Sequence, residues 1–155
     1  MGETTVSGEP YLEKILAAFK KHRLEAVLIG NAAAALQGAP VTTDDFDFFF
    51  RDTPTNLKKL TAIARGWRTT LEHPYEPLSS LYRIETPELK IDMMGYIEGR
   101  LSFESVRSRA DRLPMRGGTL LVASLADVVK SKRAAGRPKD RAALPILEEV
   151  LRAKK

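Results

Sequence analysis

The sequence predicts an α/β domain, a mixed β-sheet covered by helices with a helical segment at its C-terminal end. Three observations carry this. A buried apolar strand at Ala26–Ile29 runs through Gly30 into an alanine-rich helix; an aromatic strand follows at Asp45–Phe50; and a hairpin is spelled out over 81–93. The 155 residues suit one domain, with a core at about 24–122 and C-terminal helices at about 124–153. Repeats and low-complexity tracts are absent, and Pro and Gly are spread as turn punctuation.

Each element has a local reason. Tyr11, Leu12, Ile15, Leu16 and Phe19 recur at helical spacing, with Lys14, Lys20 and Lys21 off that face, which predicts an amphipathic helix over 10–22. The run from Ala32 to Leu36 favours helix and stops at Gly38. Phenylalanines at 46 and 48–50 favour a pleated surface, so Asp45 and Asp47 share one strand face. Thr53 before Pro54 starts a helix through Ala64 on Leu57, Leu60 and Ile63, closed by Gly66. Leu81–Glu85 and Leu89–Met93 flank a Thr86-Pro87 turn, with Asp92 in the second strand and Arg83 on the same face as Lys90 and Asp92. The stretch over 96–117 shows no clear period, and 118–122 reads as one more strand. Ser124 to Asp127 has the form of a capping box, opening a helix on Leu125, Val128 and Val129 that turns Lys132 inward and ends at Gly136. Pro138 begins the last helix, whose stripe is Leu144, Ile146, Leu147, Val150 and Leu151, with a kink expected at Pro145.

Composition narrows the chemistry. With no Cys there is no disulfide, thiol nucleophile or thiolate metal site, and two His leave little for a His-rich one. No apolar run approaches the roughly 20 residues a membrane-spanning helix needs, and the polar start lacks a signal core or myristoylation pattern. A cytoplasmic location without membrane association is therefore expected. The net charge of +5 suits a polyanionic partner but also occurs on ordinary soluble proteins. His22 fits a helix C-terminus, His73 a loop, and Ser79 and Ser80 have no visible base.

Three carboxylates stand within otherwise apolar strands: Asp45, Asp47 and Asp92. Burial of a bare carboxylate is costly, so each is expected to face solvent, pair with a cation or ligate a metal. Residues i and i+2 of a strand point the same way, roughly 6–7 Å apart, close enough to share Mg²⁺. Gly30 and Asn31, between a strand and a helix, present backbone N–H groups to an anion. Together these features divide the labour of phosphoryl- or nucleotidyl-group transfer: a seat for a triphosphate beside acids for its metal.

Ile29-Gly30-Asn31, Ala33, Gly38 and Thr43-Asp44-Asp45-Phe46-Asp47 resemble the signature of the DNA polymerase β-type nucleotidyltransferase superfamily, and Lys90-Ile91-Asp92 resembles its third acidic strand. Ser124-Leu125, Asp127, Lys132-Arg133, Gly136-Arg137 and Lys139-Asp140 are similar to the closing motif of small stand-alone members. Those members include toxin components of abortive-infection, type IV toxin–antitoxin systems. The resemblance spans about 26–150 and implies Mg²⁺-dependent transfer of NMP from an NTP, such as ATP, to a hydroxyl acceptor with release of pyrophosphate. It implies two Mg²⁺ ions on Asp45 and Asp47, with Asp92 ligating the second or activating the attacking hydroxyl. Gly30, Asn31, Thr43 and Lys132 would contact the nucleotide, with Arg137 and Asp140 in support. One position departs from the pattern: Asn31 stands where the superfamily has Gly or Ser, keeping the backbone donor but adding bulk toward the phosphates. The acceptor could be RNA, a protein hydroxyl or a small molecule, and an antitoxin or other protein partner is expected on the same grounds. The alternative is a non-catalytic nucleotide- or RNA-binding module, or a partner protein, on the same scaffold. It rests on Asn31 and on a basic set of Arg107, Arg109, Arg112, Arg116, Arg133, Arg137 and Arg141.

Overall fold

The computed structural model describes residues 9–40, 45–74 and 79–154. Along the chain run α1 (Glu9–His22), β1 (Ala26–Ile29), α2 (Gly30–Leu36), β2 (Asp45–Phe50), α3 (Pro54–Gly66), β3 (Leu71–Glu72), β4 (Leu81–Glu85), β5 (Lys90–Met94), α4 (Phe103–Arg109), β6 (Asp111–Met115), β7 (Gly118–Val122), α5 (Leu125–Ala135) and α6 (Pro138–Ala153). The strands form one mixed sheet in the order β3-β4-β5-β2-β1-β7-β6. β2 lies antiparallel to β1 and parallel to β5, and β1 lies parallel to β7.

Strand alternation on β2 divides the molecule into two layers. Phe46, Phe48 and Phe50 are buried on one face, where Phe19 of α1 meets Phe48 edge-on with ring centroids 5.1 Å apart. Helices α1 and α3 pack together on that side. The opposite face carries Asp45, Asp47 and Phe49, and Phe49 meets Phe103 of α4 at 5.6 Å. There α2 packs on β1, β2 and α5, and α5 packs on α6. The all-apolar layer is the stability core. Phe48→Ala is expected to cost about 3–5 kcal/mol, read by chemical denaturation, because Phe48 is fully buried and its cavity would be walled by rigid strands.

Local signals end most elements where the sequence predicts. Thr53 Oγ1 accepts from Asn56 N at 3.1 Å, Ser124 Oγ accepts from Asp127 N at 3.1 Å, and Gly136 closes α5 with φ of +63°. Thr86 N donates to Leu89 O at 2.8 Å across the expected hairpin turn.

Three elements escape the periodicity. α4 has two turns and buries only Phe103 and Val106, too few positions to show a helical period. β6 carries Pro114 and is exposed over most of its length, as an edge strand tolerates; its pairing with β7 makes it a strand. β3 is a two-residue edge piece paired with β4. Two expected core positions are corrected: Tyr11 and Ile146 stand 37% and 42% exposed, since the packed stripe of each helix is narrower than its apolar run. α6 continues through Pro145 to Ala153.

Candidate functional site

Register brings the three strand acids together. On the face opposite the phenylalanine layer, Asp47 of β2 lies beside Asp92 of β5, and Asp92 beside Arg83 of β4. One residue pair further along, Asp45 lies beside Lys90, and Lys90 beside Glu85. The cross-strand neighbours become ion pairs. Arg83 grips Asp92 with two bonds, Nε to Oδ1 at 2.7 Å and an Nη to Oδ2 at 3.2 Å. Lys90 Nζ lies 3.7 Å from Asp45 Oδ2. Asp47, between them, makes no ion pair among the described residues.

Backbone geometry places Asp47 against the turn between β1 and α2. Gly30 has φ of +70°, and a Cβ built there would stand 3.0 Å from Asp47 Oδ2, so both the turn and the carboxylate require glycine. Burial, then the negative charges of Asp92 and Asp45, push the Asp47 carboxyl up to about 6; Lys139 and Lys132 act against the rise.

Those cations come from the α5–α6 pair. Asp140, in the first turn of α6, is fully buried and accepts from Arg137 Nε at 2.7 Å and from Arg137 N at 3.2 Å. Lys132 Nζ lies 3.6 Å from its other oxygen. Burial works to raise the Asp140 pKa, but the bonds and charge of Arg137, with Lys132 behind them, hold the carboxyl below its usual range. Burial pulls the Lys132 ammonium below the lysine range while Asp140 opposes the shift. The inward lysine expected from helix spacing is present, and its partner is Asp140 rather than the strand acids.

Between these two groups opens a cavity of about 540 Å³. Gly30, Asn31, Asp45, Asp47, Lys132, Arg137 and Lys139 line it, together with Ser79, Ser80, Tyr96, Glu98 and Ser131. Asp92 and Asp140 stand behind the wall, engaged with Arg83 and with Arg137 and Lys132. Thr43 falls in 41–44, outside the described residues. Asn31 Oδ1 is buried and accepts no hydrogen bond among the described residues. No group of three or more His, Asp or Glu side chains is gathered to hold a metal ion among the described residues. Of the acids that line the cavity, Asp45, Asp47, Glu98 and Asp127, the first two share one face of β2 and form an oxygen-only donor pair, which suits a hard divalent cation.

The wall also contains residues to which the sequence assigned no role. Lys139 reaches the field of Asp47 because the α5–α6 packing turns the start of α6 to the cavity; its place next to Asp140 in the motif was the available signal. Tyr96, 63% exposed at the rim, and Glu98 come from the loop after β5, which has no periodicity to read. Four of the basic residues expected to form a nucleic-acid face pair with acids of the same chain while staying partly exposed. Arg107 pairs with Glu25, Arg109 with Asp127, Arg133 with Glu148 and Arg137 with Asp140. His73 lies in a loop, as expected, stacked on Tyr82 at 4.6 Å, and Lys14 covers the Trp67 ring at 5.3 Å from its centroid. No helix among the described residues is long and apolar enough to cross a membrane.

The same arrangement of sheet and helices recurs in solved structures. A Thermotoga maritima protein, TM1012, provisionally assigned as a nucleotidyltransferase, superposes with a TM-score of 0.64 at 20% identity, over 92% of this chain and 94% of its own. This is a nucleotidyltransferase fold. The antibiotic-resistance factor ANT(2'')-Ia shares the fold with a TM-score of 0.65 at 15% identity, covering 97% of this chain and 88% of its own. A further structure of ANT(2'')-Ia, in complex with adenylyl-2''-tobramycin, matches with a TM-score of 0.61 at 16% identity, over 96% and 91% of the two chains. An antigenic nucleotidyltransferase-like protein from Paracoccidioides brasiliensis matches with a TM-score of 0.60 at 14% identity, over 96% and 78%. No protein-family model and no curated protein sequence matches the chain. The fold is thus that of nucleotidyltransferases, at identities where the fold alone is shared.

Proposed function

We propose that this chain is a Mg²⁺-dependent nucleotidyltransferase that moves NMP from an NTP to a hydroxyl acceptor and releases pyrophosphate. The observation that carries this reading is Asp47: an acid raised to about 6 by burial and then by the charges of Asp92 and Asp45, in one cavity with Asp45, Lys132, Arg137 and Lys139. Asp45 and Asp47 would hold the metal. Bound Mg²⁺ supplies Lewis-acid stabilisation of the charge that develops on the phosphate oxygens.

The chain's own side chains do the positioning. Lys132 and Lys139 draw the triphosphate into the cavity and neutralise the departing pyrophosphate. Asp140 holds Lys132 and Arg137 from behind, so that two flexible cations keep one orientation. Gly30 leaves the space beside Asp47 that a side chain would fill, and Asn31 narrows the wall next to it. Tyr96 and Glu98 at the rim are placed to meet the acceptor. The shared fold with ANT(2'')-Ia supports a small hydroxylated molecule as acceptor, ahead of an RNA end or a protein hydroxyl. An antitoxin-like partner belongs to the same reading through the motif resemblance, as does a soluble, cytoplasmic setting.

Calorimetric titration of the four NTPs with and without Mg²⁺, followed by an acceptor screen with α-labelled NTP, tests the proposal. Wild-type binding that needs Mg²⁺ and disappears in Asp45→Asn/Asp47→Asn is the expected result. Binding unchanged by that double variant sinks the reading. Salt-dependent, metal-independent RNA affinity that survives the double variant would favour the binding-module alternative.

A further inference from the structure

We propose that the Arg83 guanidinium is the built-in second cation of this site, so that the nucleotide-free chain holds one divalent ion, on Asp45 and Asp47. This rests on the metal assignment above and departs from the two ions that the motif resemblance implies.

Arg83 bonds both oxygens of Asp92, at 2.7 and 3.2 Å, and the pair is largely buried, with side-chain exposures of 21% for Arg83 and 11% for Asp92. A guanidinium does not lose its proton in a protein, so this positive charge is permanent. The two-bonded geometry is the strong form of the pair and fixes the carboxylate plane toward β4, away from the cavity wall that Asp45 and Asp47 line. A divalent ion on Asp92 would sit against that charge in a partly desolvated place, where repulsion is poorly screened. Charge balance agrees. Of the three strand acids, Asp92 is engaged by Arg83 and Asp45 is approached by Lys90 at 3.7 Å, whereas Asp47 makes no ion pair among the described residues. Asp92 is then a positioning residue: its carboxylate holds Arg83 on the neighbouring strand β4 and takes no direct part in ion binding.

Mn²⁺ titration of the nucleotide-free chain, followed by electron paramagnetic resonance, tests this without reference to activity. The wild type is expected to take up one Mn²⁺ per chain. The variant Arg83→Gln/Asp92→Asn, which removes both charges of the ion pair and leaves the net charge of the chain unchanged, should also bind one Mn²⁺, with affinity within about threefold. Arg83→Gln alone, which leaves Asp92 uncovered, should gain a second Mn²⁺ or tighten binding about tenfold; thermal melting verifies that each variant is folded, and the double variant carries the test if the single one is not. Two Mn²⁺ bound by the wild type, or a loss of about tenfold or more in the folded double variant, as removal of a metal-site group produces, overturns the proposal. Those results leave the nucleotidyltransferase reading standing, whereas a wild type that binds no Mn²⁺ overturns the metal assignment and this inference together.

Discussion

Asp47→Asn is expected to abolish nucleotidyl transfer and, in the absence of metal, to stabilise the protein. The two effects share one cause. Asp47 is placed in burial and next to two other acids, which raises its carboxyl from an ordinary value of 3.8 to about 6. An acid whose folded pKa lies above its unfolded pKa makes the folded state bind more protons between those values. Its contribution to stability is therefore fully present below about 4, falls as pH rises toward 6, and stays lost above. Integrated over that window and reduced for partial solvent exposure, the loss is roughly 1–3 kcal/mol. Metal-free wild type should thus be less stable at pH 7 than Asp47→Asn by about this amount, with the gap closing toward pH 4. Urea denaturation of both proteins in chelator across pH 4–8 measures it. An asparagine cannot supply the anionic oxygen, so transfer in the presence of Mg²⁺ should fall at least about 100-fold, several kcal/mol of lost charge stabilisation. A variant no more stable than wild type at pH 7 would contradict the electrostatic account of the site.

Asp140→Ala is expected to be the most damaging single change on the helical side of the cavity. It removes the buried partner of Lys132, whose side chain is only 12% exposed, and of Arg137, which at 57% can turn to water. Stranding a buried ammonium makes the loss large, roughly 3 kcal/mol, measured by chemical denaturation. The same change removes the charge that keeps the Lys132 pKa from falling further, so an NMR titration of Lys132 should show deprotonation at lower pH than in wild type. On the proposed function, in which Lys132 meets the triphosphate as a cation, triphosphate affinity should weaken most at the alkaline end. Asp140→Asn, which keeps an acceptor for the Arg137 backbone N–H, should recover part of the stability and little of the lysine shift.

Much of the molecule was legible along the chain because its signals are local. The strand, glycine turn and helix at 26–36, the aromatic strand at 45–50, the Thr53 and Ser124 caps and the αL glycine at 136 depend on residues within a few positions of each other. So did the shared face of Asp45 and Asp47, which strand alternation alone requires. α4 and β6 were not legible, since two helical turns and a proline-bearing edge strand owe their form to the neighbours they pack against.

The sequence by itself determined which acids and cations this protein has available, on which elements they lie and which face of each element they occupy. Only the tertiary structure decided how they pair. Register across β2, β5 and β4 assigned Asp92 to Arg83, and α5–α6 packing assigned Lys132 to Asp140 and brought Lys139 toward Asp47. The reason is range. Propensity and periodicity act over a few residues, whereas a charge finds its partner through space, and its pKa reports every group that folding gathers around it.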